Sequence, residues 1–436
     1  MSRLMNNLTA FVLAGGKGTR SLDPTKPKIL QKIANVSLLE LHLFQLERSG
    51  IMKAVFSLGF GADLVIAHLA RLHHDSQIQT EYFIEKELLG TVNALKIAVQ
   101  AITEEHCLII LGDILINCDY RQMFDYWRNN SKRKVCVVVH PNLHPGNSDR
   151  LILSSSTATE FEFLEKNEPS TVLNDGLALA GVFFVEAQFL KEFLNKFQQG
   201  DFSQEITKYA IQNHELFVLN SSYHFSDTGT PERLERAVQS TNSGAVQFRG
   251  LREKGAIFLD RDGTLMPDIP EGRVDLSDFE IELDTAQAIA FSNQMGVPVF
   301  VVTNQPAIAK GFISESDVAW VHTQMREHFR SHVALIDDIK FCPHHPEKGH
   351  NGEVLSLKIK CDCRKPSKGM FEQLSEQHGI KLSNSVVIGD SEVDMGAARA
   401  IQARGILAKH GDGSVARAIL ESVDSIRANY SNSVKG

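Results

Sequence analysis

The stretches Thr9-Ala10-Phe11-Val12-Leu13-Ala14-Gly15-Gly16-Lys17-Gly18-Thr19-Arg20 and Ala256-Ile257-Phe258-Leu259-Asp260-Arg261-Asp262-Gly263-Thr264 open alike: an uninterrupted apolar run enters a polar turn that contains glycine. An apolar run bounded in this way reads as a buried strand, and a strand delivered into such a turn is how an α/β domain begins. Two beginnings predict two domains. Between them, 240–254 is polar, contains glycine and has no sustained apolar periodicity. It is the expected linker between a first domain over 1–239 and a second over 255–436. Further apolar runs at 54–58, 107–111, 135–139, 181–185, 297–302 and 386–388 read as strands, with helical periodicity at 38–48, 91–101 and 285–294 falling between several of them. The alternation predicts an α/β fold class of two Rossmann-like domains, with functional groups at the carboxyl ends of parallel strands.

Composition agrees with that division. A chain of 436 residues, 43% hydrophobic and 22% charged, is globular and long enough for two or three cores without disulfide support. Its net charge of −8 argues against a dedicated nucleic-acid binder, and the short basic run Lys132-Arg133-Lys134 reads as a solvated turn. The first apolar stretch, 8–13, runs into glycines instead of a cleavage site, and no later one approaches the ~18 apolar residues of a membrane span. A cytoplasmic protein is expected. Six cysteines are too sparse for a disulfide scaffold, and the crowding of Cys342, Cys361 and Cys363 is a metal pattern.

The turn Leu13 to Arg20 places three glycines and two cations directly after a strand. Glycines let backbone N–H groups approach phosphate oxygens, while Lys17 and Arg20 supply charge. Pro24 and Pro27 hold the next segment extended, presenting Lys28 to the same anion. This part resembles the sugar-1-phosphate nucleotidyltransferases over about the first 235 residues. Leu89-Gly90-Thr91 is similar to their base-contacting segment, Leu111-Gly112-Asp113 to their strand-end aspartate, Glu165-Lys166 to their sugar-phosphate pair, and Asp227-Thr228-Gly229-Thr230-Pro231 to their late D-x-G-T-P segment.

The resemblance implies a mixed sheet and a reaction in which a sugar 1-phosphate oxygen attacks the α-phosphorus of a nucleoside triphosphate and expels pyrophosphate. It implies Mg2+ on Asp113 and Asp227, the triphosphate on Arg20 and Lys28, and the nucleotide along Leu13, Gly15, Gly16, Gly18, Gly90 and Thr91. Glu165, Lys166 and Gly181 would receive the sugar phosphate. One departure is Leu179-Ala180-Gly181, where the family usually has Asn-x-Gly.

In the second half, Asp260 closes an apolar strand and Asp262 follows around a tight turn. Two carboxylates this close repel unless a cation or proton intervenes. A divalent ion would keep Asp260 ionised for attack on phosphorus, while Asp262 protonates a leaving alkoxide and later activates water. The string resembles the first motif of the haloacid dehalogenase-like phosphohydrolases. Thr303 and Asn304 resemble their second motif, Lys365 their lysine, and Gly389-Asp390-Ser391 with Asp394 their acidic fourth motif. The resemblance implies Mg2+ on Asp260, Asp262 and Asp390, phosphate on Thr303, and substrate contacts from Asn304 and Arg364. Short spacings between the motifs leave no room for a large cap domain.

Cys342-Pro343-His344 and Cys361-Asp362-Cys363 supply four ligands of the kind a closed tetrahedral Zn2+ site uses, with His345 as a competitor for His344. The clip leads straight into Arg364-Lys365, so structural zinc is expected to place both cations. These strings and the absent cap narrow the resemblance to heptose 1,7-bisphosphate phosphatases and the similar histidinol phosphatases. Departures from that pattern are Pro306 and Lys310. A heptose phosphatase leaves a heptose 1-phosphate, which a sugar-1-phosphate nucleotidyltransferase consumes. The paired resemblance therefore implies consecutive steps toward a GDP-heptose for bacterial surface polysaccharide. A hexose-1-phosphate guanylyl- or uridylyltransferase beside a histidinol-phosphate-type phosphatase is the alternative, as is a phosphatase with a non-catalytic nucleotide-binding domain.

Overall fold

A computed structural model describes residues 8–16, 23, 25–72, 77–87, 89–153, 161–168, 176–268 and 281–433. Lys17, Gly18, Arg20 and Pro24 lie outside the described residues. The chain divides into two compact units, one comprising Met1–His140 with Ala178–Gly250, the other Pro141–Leu177 with Leu251–Gly436.

In the first unit the strand Leu8–Ala14 is central, parallel to Lys53–Leu58 on one side and to His106–Leu111 on the other. Gln79–Ile84 extends the sheet in parallel. Leu177–Glu186 runs antiparallel to His106–Leu111 and to Val135–His140, so the sheet is mixed. Phe11, Val12, Val55, Phe56, Ile109 and Ile110 are fully buried, which is why these strands read as continuous apolar runs instead of alternating ones. Leu38–Arg48 begins at a capping box between Ser37 and Glu40 and turns Leu38, Leu39, Leu43 and Leu46 inward. With neighbours on both sides, Leu8–Ala14 marks the crevice where the strand order reverses.

A small second ladder, His224–Asp227 antiparallel to Ile114–Asn117, sets Asp227 opposite Ile114. The stretch 240–254, expected as a linker, is largely helical. Pro231–Asn242 runs into it and Ala245–Arg249 follows, burying Ala245, Val246 and Phe248. A five-residue helix is too short to display a period, although its apolar residues are inside.

The second unit carries a five-stranded sheet in the order Asp338–Cys342, Val299–Asn304, Ile257–Leu259, Val386–Gly389, Arg404–Leu407. Every pairing is parallel. Phe258 and Phe300 stack with centroids 5.5 Å apart, and Phe371 meets Phe258 edge-on at 5.1 Å. The helix Leu283–Gln294 packs on the long helix Ser414–Ser433. The outer strands Asp338–Cys342 and Arg404–Leu407 escape the apolar-run reading because edge strands keep polar or exposed positions. The hairpin of Arg150–Leu153 with Phe161–Leu164 also belongs to neither expected strand set. Among the described residues no helix is long and apolar enough to cross a membrane.

Candidate active sites

At the crevice of the first unit, Leu13, Gly15, Gly16, Lys28, Glu85, Gly90, Thr91, Gly112, Asp113 and Asp201 line a cleft of about 360 Å3. Gly112 donates its N–H to Leu13 O at 2.9 Å, bringing Asp113 beside the glycine turn. Lys28 Nζ lies 2.7 Å from Asp113 Oδ2, while Thr228 donates from its hydroxyl to Asp113 O at 2.9 Å. Asp227 is held by the Gly229 N–H and by Arg233. The segment that carries Asp227 is thus hydrogen-bonded through Thr228 to the Asp113 backbone, and each carboxylate has a cation of its own. Their hard oxygen donors suit a divalent ion that keeps water and phosphate oxygens as further ligands.

Glycines shape this cleft. Gly90 has φ +98°, and a Cβ there would come 2.5 Å from Gly200 O. Thr91 Oγ1 accepts from Phe202 N–H at 2.7 Å, so its hydroxyl oxygen is engaged in tying the two loops together. A Cβ on Gly15 would meet Glu85 Oε1 at 2.5 Å, whereas one on Gly16 would meet nothing within 4 Å. Gly181, φ +70°, sits at a bulge where a Cβ would meet Ile114 Cδ1 at 2.3 Å. It permits close packing beside the Asp113 turn. Glu165 and Lys166 fall in the stretch Pro141–Leu177 of the second unit. They follow the strand Phe161–Leu164, where Lys166 N–H donates to Asp149 Oδ1 at 2.9 Å.

Glu85 and Asp201 escape a reading of the sequence because neither belongs to a glycine or aspartate string. Asp201 caps the helix Phe202–Gln212. Burial raises the Glu85 carboxyl above its ordinary range, against a hydrogen bond from Asn93.

In the second unit Asp260 leaves the central strand, Thr303 and Asn304 end its neighbour Val299–Asn304, and Asp390 follows Val386–Gly389 on the other side. All stand at carboxyl ends, at the reversal of strand order. Asp260, Asp390 and Asp394 bring carboxylate oxygens within 4.8 Å of one another. Lys365 Nζ reaches Asp260 Oδ1 at 2.8 Å and Asp394 Oδ1 at 2.6 Å. Burial pushes the Asp260 carboxyl up to about 6 against the pull of Lys365, and Asp394 and Asp262 add to the rise. Three carboxylates against one lysine suit a divalent cation. Gly263, φ +74°, makes room for Asp390, whose Oδ2 would lie 2.3 Å from a Cβ.

Two assignments shift. The carboxylate that joins Asp260 and Asp390 is Asp394, not Asp262. Both Asp262 oxygens are taken by Arg261 Nε and Nη2, at 2.9 and 3.0 Å, and Gln305 Nε2 adds a bond at 2.7 Å. Asn304 faces backbone: its amide donates to Lys365 O at 3.1 Å and accepts from Lys365 N–H at 2.9 Å, so it fixes the lysine. Pro306 opens the helix Pro306–Ala309, a position where a missing N–H costs no intrahelical bond.

Cys342 ends its strand opposite Asn304. Its Sγ lies 3.6 Å from Cys361 Sγ and 3.2 Å from Cys363 Sγ, and Cys361 and Cys363 are 3.2 Å apart. His344 Nδ1 is 3.1 Å from Cys363 Sγ and 3.6 Å from Cys342 Sγ. A tetrahedral centre with ~2.3 Å metal–sulfur arms has edges of about 3.7 Å, close to these separations. His345 is elsewhere, its Nδ1 3.3 Å from Glu347 O. Arg364 donates to His344 O at 3.2 Å, tying the clip to the segment that delivers Lys365.

The nucleotidyl transferase family profile matches residues 9–244, more than half of the chain. The chain belongs to the nucleotidyl transferase family. A HAD-hydrolase-like profile matches 362–429 of this same transferase. Across 160 residues, 37% of this chain and 84% of the relative, it is 34% identical to the D-glycero-β-D-manno-heptose-1,7-bisphosphate 7-phosphatase of Pseudomonas aeruginosa. The phosphatase of that name from Vibrio cholerae is 38% identical over 148 residues, 34% of this chain and 76% of the relative. HddC from Yersinia pseudotuberculosis, solved in complex with GMP-PN, aligns with 53% of this chain and 99% of its own at 21% identity and TM-score 0.42. The nucleotidyl transferase is thus a bifunctional enzyme whose second part is a HAD-like phosphomonoester hydrolase.

Proposed function

We propose that the hydrolase removes the 7-phosphate of D-glycero-D-manno-heptose 1,7-bisphosphate and that the transferase joins the resulting 1-phosphate to GMP from GTP. The observation that carries this reading is the union of the two chemistries on one chain. A relative of heptose bisphosphate phosphatases leaves a sugar 1-phosphate, the substrate class that a transferase of this family consumes. The cytoplasm, where nucleoside triphosphates are available, is the fitting compartment.

In the hydrolase, Asp260 forms a bond to phosphorus as the bond to the sugar oxygen breaks, and Asp262 gives that oxygen its proton. Water then attacks the phosphoaspartate, its proton passing to Asp262, and Asp260 departs as a carboxylate. Lys365 balances Asp260 and Asp394, and Thr303 faces the phosphoryl group. Asp260 and Asp390 would hold Mg2+, which would supply positive charge toward the phosphoryl group. Cys342, His344, Cys361 and Cys363 would hold zinc, which would fix the loop that delivers Lys365.

In the transferase no protein nucleophile is needed. Asp113 and Asp227 would hold Mg2+, and Lys28 would turn from Asp113 to a phosphate. Glu85 supports guanine, because its two oxygens only accept hydrogen bonds and guanine presents adjacent N1–H and N2–H donors. The deciding experiment offers heptose 1,7-bisphosphate with all four ribonucleoside triphosphates and reads products by mass spectrometry. GDP-heptose with phosphate and pyrophosphate is expected. Release of neither, or conjugation to another base, overturns the reading.

A further inference from the structure

Gln305 stands just before the helix Pro306–Ala309, is 4% exposed, and donates its backbone N–H to Cys342 O at 2.8 Å. Its side chain has two partners on different elements. Nε2 lies 2.7 Å from Asp262 Oδ2 and 2.9 Å from Thr303 Oγ1. A carboxylate only accepts, so the amide nitrogen and not its oxygen must face Asp262. The second hydrogen on that nitrogen then fills a lone pair of Thr303 Oγ1, leaving the threonine proton free to be donated. Arg261 completes the clamp from the other side, bonding both Asp262 oxygens and lying 3.2 Å through Nη1 from His322 Nε2. Burial and Arg261 hold His322 far below its ordinary range, so its neutral ring accepts from the guanidinium.

We propose that Gln305 is a positioning residue of the phosphatase, setting the Asp262 carboxylate and the Thr303 hydroxyl proton through one nitrogen. This rests on the roles given above to Asp260, Asp262 and Thr303. Gln305 moves no proton itself. It fixes the oxygen that protonates the leaving group and later accepts the proton of water, and it turns the threonine hydroxyl toward the phosphoryl group.

The two half-reactions separate the proposal from a merely structural role. p-Nitrophenolate leaves without a proton, so the first half-reaction of p-nitrophenyl phosphate does not need Asp262, whereas hydrolysis of the phosphoaspartate does. The reference is Asp262→Asn in the full chain. It should release about one equivalent of p-nitrophenolate per chain in a rapid burst, then turn over slowly. Gln305→Leu, and the isosteric Gln305→Glu that replaces the donor with an acceptor, should behave likewise. Each should keep the burst, lose roughly 10²-fold in steady-state kcat, and lose roughly 10²-fold in single turnover of a sugar phosphate, the scale of a misplaced general acid–base. Pyrophosphate release by the first unit, unchanged, shows that the variants fold. Absence of a burst in Asp262→Asn overturns the Asp260 and Asp262 assignments. A burst there, with Gln305 variants that turn over like wild type or lose the burst along with everything else, overturns the role of Gln305.

Discussion

Lys365 donates from Nζ to Oδ1 of Asp260 at 2.8 Å, with both side chains largely shielded from solvent. Burial alone would drive the lysine toward its neutral form, but Asp260 and Asp394 outweigh it and hold Lys365 above its ordinary range. The charge survives because two carboxylates share it. Asp260 in turn can stay a carboxylate, the form in which it attacks phosphorus. Lys365→Met should therefore lower phosphatase kcat/KM by about 10²–10³-fold, the scale on which a preorganised charge acts. Phosphate release read beside pyrophosphate release checks this, since the latter should persist. Equal loss of both would refute it.

The clip should contain one zinc per chain by plasma mass spectrometry. Cys361→Ser, or prolonged treatment with a strong chelator followed by restored magnesium, should remove the metal and most phosphatase activity. Nucleotidyl transfer should continue. Asp260 is untouched by this change, so the loss operates through the segment from Cys363 to Lys365. Full phosphatase activity in a zinc-free chain would be the contrary result.

Glu85 makes a prediction about base choice. Inosine triphosphate lacks the N2 amino group, so wild type should prefer GTP over it by about 10- to 100-fold in kcat/KM, the worth of one hydrogen bond to a charged acceptor. Glu85→Gln gives up one acceptor and should compress that preference severalfold. Equal use of the two triphosphates by wild type would show that Glu85 does not read the base.

Acid should destabilise the first unit before carboxylate titration explains it. Burial pushes His42 down to about 4, against its bond to Gly112 O at 3.3 Å, and burial with Arg249 pushes His224 down to about 3. An unfolded histidine titrates near 6.5, so below that pH the unfolded chain binds protons that the folded one refuses. Stability present above pH 6.5 is thus lost as pH falls toward 4, with His42 accounting for roughly 3 kcal/mol. Urea midpoints from pH 7.5 to 4 should show the decline, and His42→Gln should flatten it. A midpoint independent of pH over that range would contradict the argument.

Much of this enzyme was legible locally. A glycine turn after an apolar strand, DRDGT after another, and C-x-H with C-x-C are strings whose chemistry is carried by residues a few positions apart, where backbone geometry alone controls separation. Asp260 and Asp390 stand together for a related reason, since each follows a strand of one parallel sheet and such strand ends converge where the sheet order reverses.

The folded chain decided the rest. Asp394 takes the place expected for Asp262 because the acid two positions after Asp260 is claimed by Arg261 and by Gln305, 43 positions away. Asn304 looks like a substrate contact until its amide is seen gripping the backbone of Lys365, 61 positions on. Glu85 carries no motif and becomes a site residue only because, just past the strand Gln79–Ile84, its side chain reaches the turn at Gly15. Sequence determined which groups this protein brings to its two chemistries, because residue type and short spacing are written in the chain. Which oxygen faces which donor was settled only by folding, because a hydrogen bond reaches about 3 Å and the sheet alone brings such distant positions that near.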